Sequence, residues 1–273
     1  MKMNLRTPKL LLLMTVAILM ASCTGNQTTE DDAPEVMIRN DWDDYFQGKQ
    51  GCMVVYEPST GITQLNNQER SEKEFSPAST FKIFNAMAGL EEQAVFTVDE
   101  TIAWDGTDKG WEKWNKDQTM QTAMEYSCVW FFQTIADRVG EPAMQKHLTE
   151  NNYGNMLMGP LLNSFWLDGE LKISAMDQVD FLDRWRKREL TFSPAVQDKV
   201  YNILTEDDFG SFTMKSKTGW SIRTDGDIGW LVGFAEKEGK SCVFAMNLDL
   251  REDEDGNLRK DIASAILKTE FEK

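Results

Sequence analysis

Pro77-Ala78-Ser79-Thr80-Phe81-Lys82 is the stretch on which the reading of this 273-residue chain turns. It places a serine and a lysine three residues apart at what reads as the start of a helix. Three residues is nearly one helical turn, so the two side chains share a face. A serine hydroxyl is a poor nucleophile unless a base stands beside it. A lysine can be that base if its surroundings suppress the ammonium form. The chain has a single histidine, His147, so a serine–histidine pairing is nearly excluded from the start. Phe81, Phe84, Met87 and Leu90 fall at helical spacing after the serine and carry the expected helix to about Gln93.

The composition supports a folded body around this stretch. Hydrophobic residues make up 41% and aromatics 11%, with nine Trp and fifteen Phe, enough for a large core. The formal charge of −16 should repel phosphate backbones, which argues against nucleic acid as a partner. The cysteines are Cys23, Cys52, Cys128 and Cys242. Setting Cys23 aside leaves three widely spaced thiols, without the close pairs that a zinc site uses and with at least one free or shared between chains.

Residues 1–22 read as a secretory signal. Lys2, Arg6 and Lys9 form its positive end, and Leu10 to Met20 an apolar run too short to span a bilayer comfortably. Leu19-Met20-Ala21-Ser22-Cys23 resembles a bacterial lipobox, which would make Cys23 a lipidated N-terminus; ordinary cleavage near Ala21 is the alternative. Removing 1–22 takes three positive charges and no negative ones and leaves −19. Residues 23–35 read as a flexible polar tether. The expected product is an exported, periplasmic protein of a Gram-negative bacterium, touching the membrane only through that anchor. Oligomeric state is not legible.

Residues 36–273 read as a single domain of two lobes that fold together, with no linker marking a boundary. Strands are expected at Gly51–Tyr56 and from Ile62 to Leu65, joined by a turn at Pro58–Gly61. A Gly-, Trp- and charge-rich loop covers Trp104–Lys116. One long helix is expected from Thr122 to Val139 and a shorter one from Pro142 to Thr149. Residues 151–172 lack periodicity and read as a long structured loop, a place where function concentrates. Ser174 with Asp177 resembles a capping box for a helix to about Arg188, and Ser193-Pro194 caps another to about Leu204. Phe212–Lys217, Ile228–Glu236 and Ser241–Leu248 read as strands, the last two joined by a hairpin turn at Lys237–Lys240. Leu258–Glu272 reads as a closing amphipathic helix. The expected fold class is α+β: a mostly antiparallel sheet built from both chain ends, flanked by helices, with a helical lobe inserted.

By itself S-x-x-K is a weak signal and could be a solvated helix face. It gains weight from Ser127-Cys128-Val129, Tyr153-Gly154-Asn155 and Lys217-Thr218-Gly219, which follow in that order. With these the chain resembles the serine β-lactamases and penicillin-binding proteins, whose signature joins S-x-x-K to S-D-N and K-T-G. Valine at 129, where the Asn of S-D-N would sit, together with Y-G-N, is similar to class D, the oxacillinase type. Phe165-Trp166-Leu167-Asp168-Gly169, Gly229-Trp230-Leu231-Val232-Gly233 and Leu258-Arg259-Lys260 look like that class too. The resemblance spans roughly residues 50–270.

The resemblance implies the serine β-lactamase fold, with residues 36–273 a catalytic domain of an α lobe and an α/β lobe, and hydrolysis of penicillin-type β-lactams through an acyl-enzyme on Ser79. It implies no metal and no cofactor beyond a CO2-derived carbamate on Lys82, the general base, to which Trp166 would donate its indole N–H. Val129, with Trp166 and Leu167, would keep that pocket dry. Ser127 would hand a proton to the leaving nitrogen, and Lys217 would hold the Ser127 hydrogen bond. Thr218 and Arg259 would meet the substrate carboxylate. The backbone N–H groups of Ser79 and Trp220 would form the oxyanion site, and Gly219 would let substrate lie against the strand. Blander readings stay open: Ser127 satisfied by its own helix, Arg259 a solvated charge, Tyr153 and Asn155 mere wall. A penicillin-sensing receptor domain that acylates without turnover, and a DD-peptidase or transpeptidase, are the alternative functions. His147 reads as a solvated residue of a charged helix, and Glu252–Asp255 as an exposed turn.

Overall fold

A computed structural model describes residues 35–222, 227–251 and 256–272. The signal, most of the tether with Cys23, and the acidic run 252–255 lie outside the described residues.

The Gly51–Glu57 run, GCMVVYE, forms the central strand β2, and side-chain alternation splits it between two cores. Cys52 and Val54 enter one apolar cluster, Met53 and Val55 the other. Strands β1 (Val36–Ile38), β3 (Ile62–Leu65), β4 (Thr205–Asp208), β5 (Thr213–Ser221), β6 (Asp227–Lys237) and β7 (Lys240–Leu250) complete a seven-stranded sheet in the order β1-β3-β2-β7-β6-β5-β4. All pairs are antiparallel except β1 with β3. The sheet is thus assembled from both chain ends, as expected. Glu238 and Gly239, both at positive φ, make the two-residue turn between β6 and β7. Short edge strands β1 and β4 escaped the sequence reading: Val-Met-Ile is three residues long, and Thr-Glu-Asp-Asp has no apolar alternation.

Helix α1 covers Gln68–Glu72. A 3-10 turn at Ala78–Phe81 leads into α2 (Lys82–Glu91), whose residues are buried from Lys82 through Leu90. The expected single helix at 122–139 is two: α3 (Met120–Glu125) and α4 (Val129–Val139). Helices α5 (Glu141–Glu150), α6 (Ala175–Arg186), α7 (Pro194–Asn202) and α8 (Leu258–Phe271) follow. The Ser174–Asp177 capping box is present. Ser193 stands at the α7 N-cap but makes no side-chain cap bond; its N–H donates to Glu91 Oε2 at 2.9 Å. His147 is buried, not solvated. Met144, His147 and Leu148 form the inward face of α5, and His147 Nε2 lies 2.7 Å from Glu92 Oε1. Cys52, Cys128 and Cys242 are free thiols, each buried.

The loop 151–172 is fastened at its root. Asn155 donates from Nδ2 to Glu170 O and accepts at Oδ1 from Lys172 N. Gly154 has φ +53 and lies so close that a Cβ would meet Lys172 O at 2.1 Å. Tyr153 is sealed among Phe81, Phe84 and Phe181. The Y-G-N run is therefore a clasp for the loop that carries Trp166. That loop is tied in turn to the segment before Ser79: Ser76 Oγ donates to Trp166 O and Leu167 O, and Ala78 N donates to Trp166 O.

Helix α2 meets α4 at Gly89, where a Cβ would fall 2.4 Å from Ile135 Cγ2. Buried Asn85 donates to Phe132 O at the same crossing. Gly89→Ala should cost ~1–3 kcal/mol in denaturant unfolding, the usual range for overpacking. In an Ile135→Ala background the same change should cost less, because the offending methyl is gone. Equal costs in both backgrounds would contradict the close crossing.

Candidate active site

Ser79 stands in the 3-10 turn and Lys82 opens α2, so the pair still shares a face although the helix begins later than expected. Lys82 Nζ lies 2.6 Å from Ser79 Oγ and 3.4 Å from Ser127 Oγ. Lys217 Nζ donates to Ser127 Oγ at 3.0 Å and to Thr218 O at 3.2 Å. Two serines and two lysines thus make one continuous chain of contacts, drawn from 138 positions of sequence by α2, the α3–α4 junction and β5.

Local backbone geometry aims Ser127. It has φ +52 and follows the last turn of α3. Ser127 N donates to Met124 O and Cys128 N to Ala123 O. This is the Schellman arrangement that ends a helix on a left-handed residue, usually glycine. A serine in that place turns its hydroxyl out of the helix and toward both lysines. The sequence carries no glycine or proline at 126–128, and for that reason the break was not legible.

Strand β5 runs from Thr213 to Ser221, so Lys217-Thr218-Gly219 sits inside the strand and does not end it. Gly219 disfavours a strand and hid its continuation beyond Lys217. Strand β4 pairs with β5 only through Ser216, whereas β6 pairs along its whole length. From Lys217 to Ser221 one side of β5 therefore lacks a strand neighbour, and the Ser79 turn packs on the face of the strand at Gly219. A Cβ on Gly219 would meet Pro77 O at 3.0 Å and Thr80 Cγ2 at 3.1 Å. The glycine thus eases the close approach of the Ser79 turn, and it also lines the cleft.

Lys82 is completely buried. Phe81 and Phe84 flank it in sequence, and its ammonium lies 5.8 Å from the Phe132 ring, a neighbour that sequence reading missed. Burial, and then the charge of Lys217, push Lys82 well below its ordinary value. Burial and Arg259 bring Lys217 down to about 7. Arg259 is buried rather than solvated, and burial lowers it to about 10, so it stays charged at neutral pH. It donates to Gly219 O at 2.5 Å and to Gly256 O at 2.9 and 3.1 Å, and its guanidinium lies 5.3 Å over the Trp220 ring. Trp166 is fully buried and stacks on Phe81, and its indole N–H has no acceptor.

A cleft of about 830 Å³ opens on Ser79 and Ser127. Thr218, Gly219, Trp220 and Arg259 line its sheet side, and Val129 and Leu167 lie on the helical side. Trp111, Trp114, Tyr126 and Ile222 also line it and were missed. The W-x-x-W spacing in a charged loop was the available signal for the first two. Tyr153 and Asn155 are not among the lining residues. Among the described residues no cluster of potential ligands could hold a metal ion.

A serine beside a depressed lysine, with a second serine linking two lysines, defines a serine acyl-transfer site. The penicillin binding protein transpeptidase domain is the family model that matches, over residues 51–268. Beta-lactamase OXA-48 of Klebsiella pneumoniae is 33% identical over 261 residues, covering 95% of this chain and 97% of that protein. Beta-lactamase OXA-10 of Pseudomonas aeruginosa is 36% identical over 234 residues, covering 84% and 88%. The crystal structure of FUS-1 (OXA-85), a class D beta-lactamase from Fusobacterium nucleatum subsp. polymorphum, is similar with a TM-score of 0.82. It is 33% identical, with 85% of this chain and 98% of that one covered. The chain belongs to the class D β-lactamases, within the penicillin-binding-protein transpeptidase family.

Two predictions follow the geometry. Ser127→Gly and Ser127→Ala both lose the hydroxyl, but only glycine relieves the left-handed backbone. The glycine variant should be the more stable by ~1 kcal/mol. Equal unfolding midpoints would remove the strain argument. For Lys82 the sign is set by burial. The folded state holds the amine neutral while the unfolded chain binds a proton up to about pH 10.4, so stability rises with pH across that window. In CO2-free buffer at pH 7, Lys82→Met should melt higher by ~2 °C or more. Its stability should also climb less steeply between pH 7 and 10. Some slope remains, because Lys217, at about 7, acts in the same direction.

Proposed function

We propose that this chain hydrolyses penicillin-type β-lactams through a covalent ester on Ser79. The observation that carries the reading is the contact of 2.6 Å between Ser79 Oγ and a fully buried Lys82 amine. As Ser79 Oγ attacks the lactam carbonyl its proton passes to the base at Lys82, and the C–N bond of the ring opens. Ser127 Oγ gives a proton to the released nitrogen, and Lys217, 3.0 Å from it, is placed to make up the loss. The N–H groups of Ser79 and Trp220 receive the developing oxyanion, where one donor is typically worth about 3 kcal/mol. Thr218 and Arg259 hold the substrate carboxylate at the sheet side of the cleft. Water then releases the acyl group from Ser79.

A carbamate on Lys82 fits the residues present. An amine kept neutral by burial can take up CO2, and the orphaned Trp166 N–H in the same apolar region is a donor in want of an acceptor. When formed, that group supplies the general base for acylation and deacylation. The Lys82 amine is wholly enclosed, with the Phe132 ring 5.8 Å away.

Intact-mass measurements in time with a penicillin test the reading. A transient adduct that vanishes as product accumulates is expected. A permanent adduct would instead indicate a sensing receptor, and release of D-Ala from a D-Ala-D-Ala peptide would indicate a cell-wall peptidase. Ser79→Ala should leave no adduct and lose at least ~1000-fold in rate. Activity should fall as pH drops, since protonation removes the reactive amine, and should return with bicarbonate after CO2 depletion. Trp166→Phe should raise the bicarbonate needed for recovery. No response to bicarbonate in either protein would leave the free amine as base.

A further inference from the structure

Arg259 reaches the cleft although its N–H groups already bond to Gly219 O and Gly256 O. Nε and Nη2 share Gly256 O along one edge and Nη1 bonds Gly219 O, which leaves one further N–H on each of Nη1 and Nη2, and the flat face of the guanidinium is set by Trp220, whose ring lies 5.3 Å away. The indole is itself fastened. Trp220 Nε1 donates to Asp227 Oδ2 at 2.7 Å, across the β5–β6 pair where Trp220 faces Gly229 and Ser221 faces Ile228. Asp227, the first residue of β6, lies behind Trp220 and is not among the lining residues of the cleft.

We propose that Asp227 is a positioning residue for substrate-carboxylate recognition, acting through the Trp220 indole on Arg259. The inference rests on the β-lactam reading of the cleft. An indole N–H that donates to a carboxylate gains electron density in its ring, and a richer ring attracts a guanidinium more strongly. The anion also fixes the ring plane, which limits the rotamers open to both Trp220 and Arg259. Only with its plane defined can Arg259 present a paired set of donors to a carboxylate. Gly229, beside this assembly, allows the close fit: a Cβ there would meet Arg259 Cδ at 2.8 Å.

The test compares benzylpenicillin with its carboxylate methyl ester, which keeps the lactam and removes the anion. The measured quantity is the ratio of kcat/KM for acid over ester. Asp227→Leu removes the acceptor, Trp220→Phe removes the donor and keeps a ring, and Asp227→Asn keeps an acceptor. The ratio should fall about five-fold or more in the leucine and phenylalanine variants, the weight of one partly buried cation–π contact. The loss should appear chiefly in KM for the acid, with the asparagine variant closer to the wild type. Should Asp227→Leu fail to fold, Trp220→Phe and Asp227→Asn carry the same comparison. An unchanged ratio in Trp220→Phe, or equal losses for acid and ester, overturns the inference while leaving lactam hydrolysis intact. A wild type that cleaves neither compound removes the functional reading and the inference with it.

Discussion

The burial of one amine organises this molecule. Lys82 opens a helix buried from its first residue through Leu90 and is itself fully enclosed, with Lys217 near enough to repel its charge. An isolated ammonium in such a place is far more costly than a neutral amine. The fold resolves the conflict by giving up the proton. What it gains is a base 2.6 Å from a hydroxyl that would otherwise be inert at neutral pH. The apolar walls made by Phe81, Phe132 and Trp166 are thus part of the chemistry as much as of the core.

The second constraint is steric. The Ser79 turn and strand β5 come from opposite ends of the domain sequence and meet at Gly219, where there is no room for a Cβ without displacement. Beyond Ser216, β4 no longer pairs with β5, which leaves Lys217 to Ser221 without a strand neighbour on that side. The loop clasp at Gly154 and Asn155 plays the complementary part, holding Trp166 against the back of the same turn.

Much of this was legible from residue patterns, and the exceptions have physical reasons. The two-ended sheet, the α6 capping box and the Ser79–Lys82 pairing all rest on local periodicity or spacing, which sequence displays directly. Strand β5 was cut at Lys217 because Gly219 disfavours a strand, and pairing with β6 overrides it. The α3–α4 break was invisible because a serine occupies a position that glycine usually marks. His147 was read by its charged neighbours, although its spacing with Met144 and Leu148 places it inward. The close approach of Pro77 O to Gly219 is a tertiary contact with no local signal in the sequence. Trp111 and Trp114 belong to an irregular loop whose placement has no local code.

The three thiols carry a consequence for how the protein can be made. Cys52, Cys128 and Cys242 are each enclosed, and burial raises Cys52 to about 12 and Cys128 to about 11. Few thiolates exist to react, and no pair is joined among the described residues. Folding of this domain therefore closes no bond among Cys52, Cys128 and Cys242, and a reductant has no cross-link there to break.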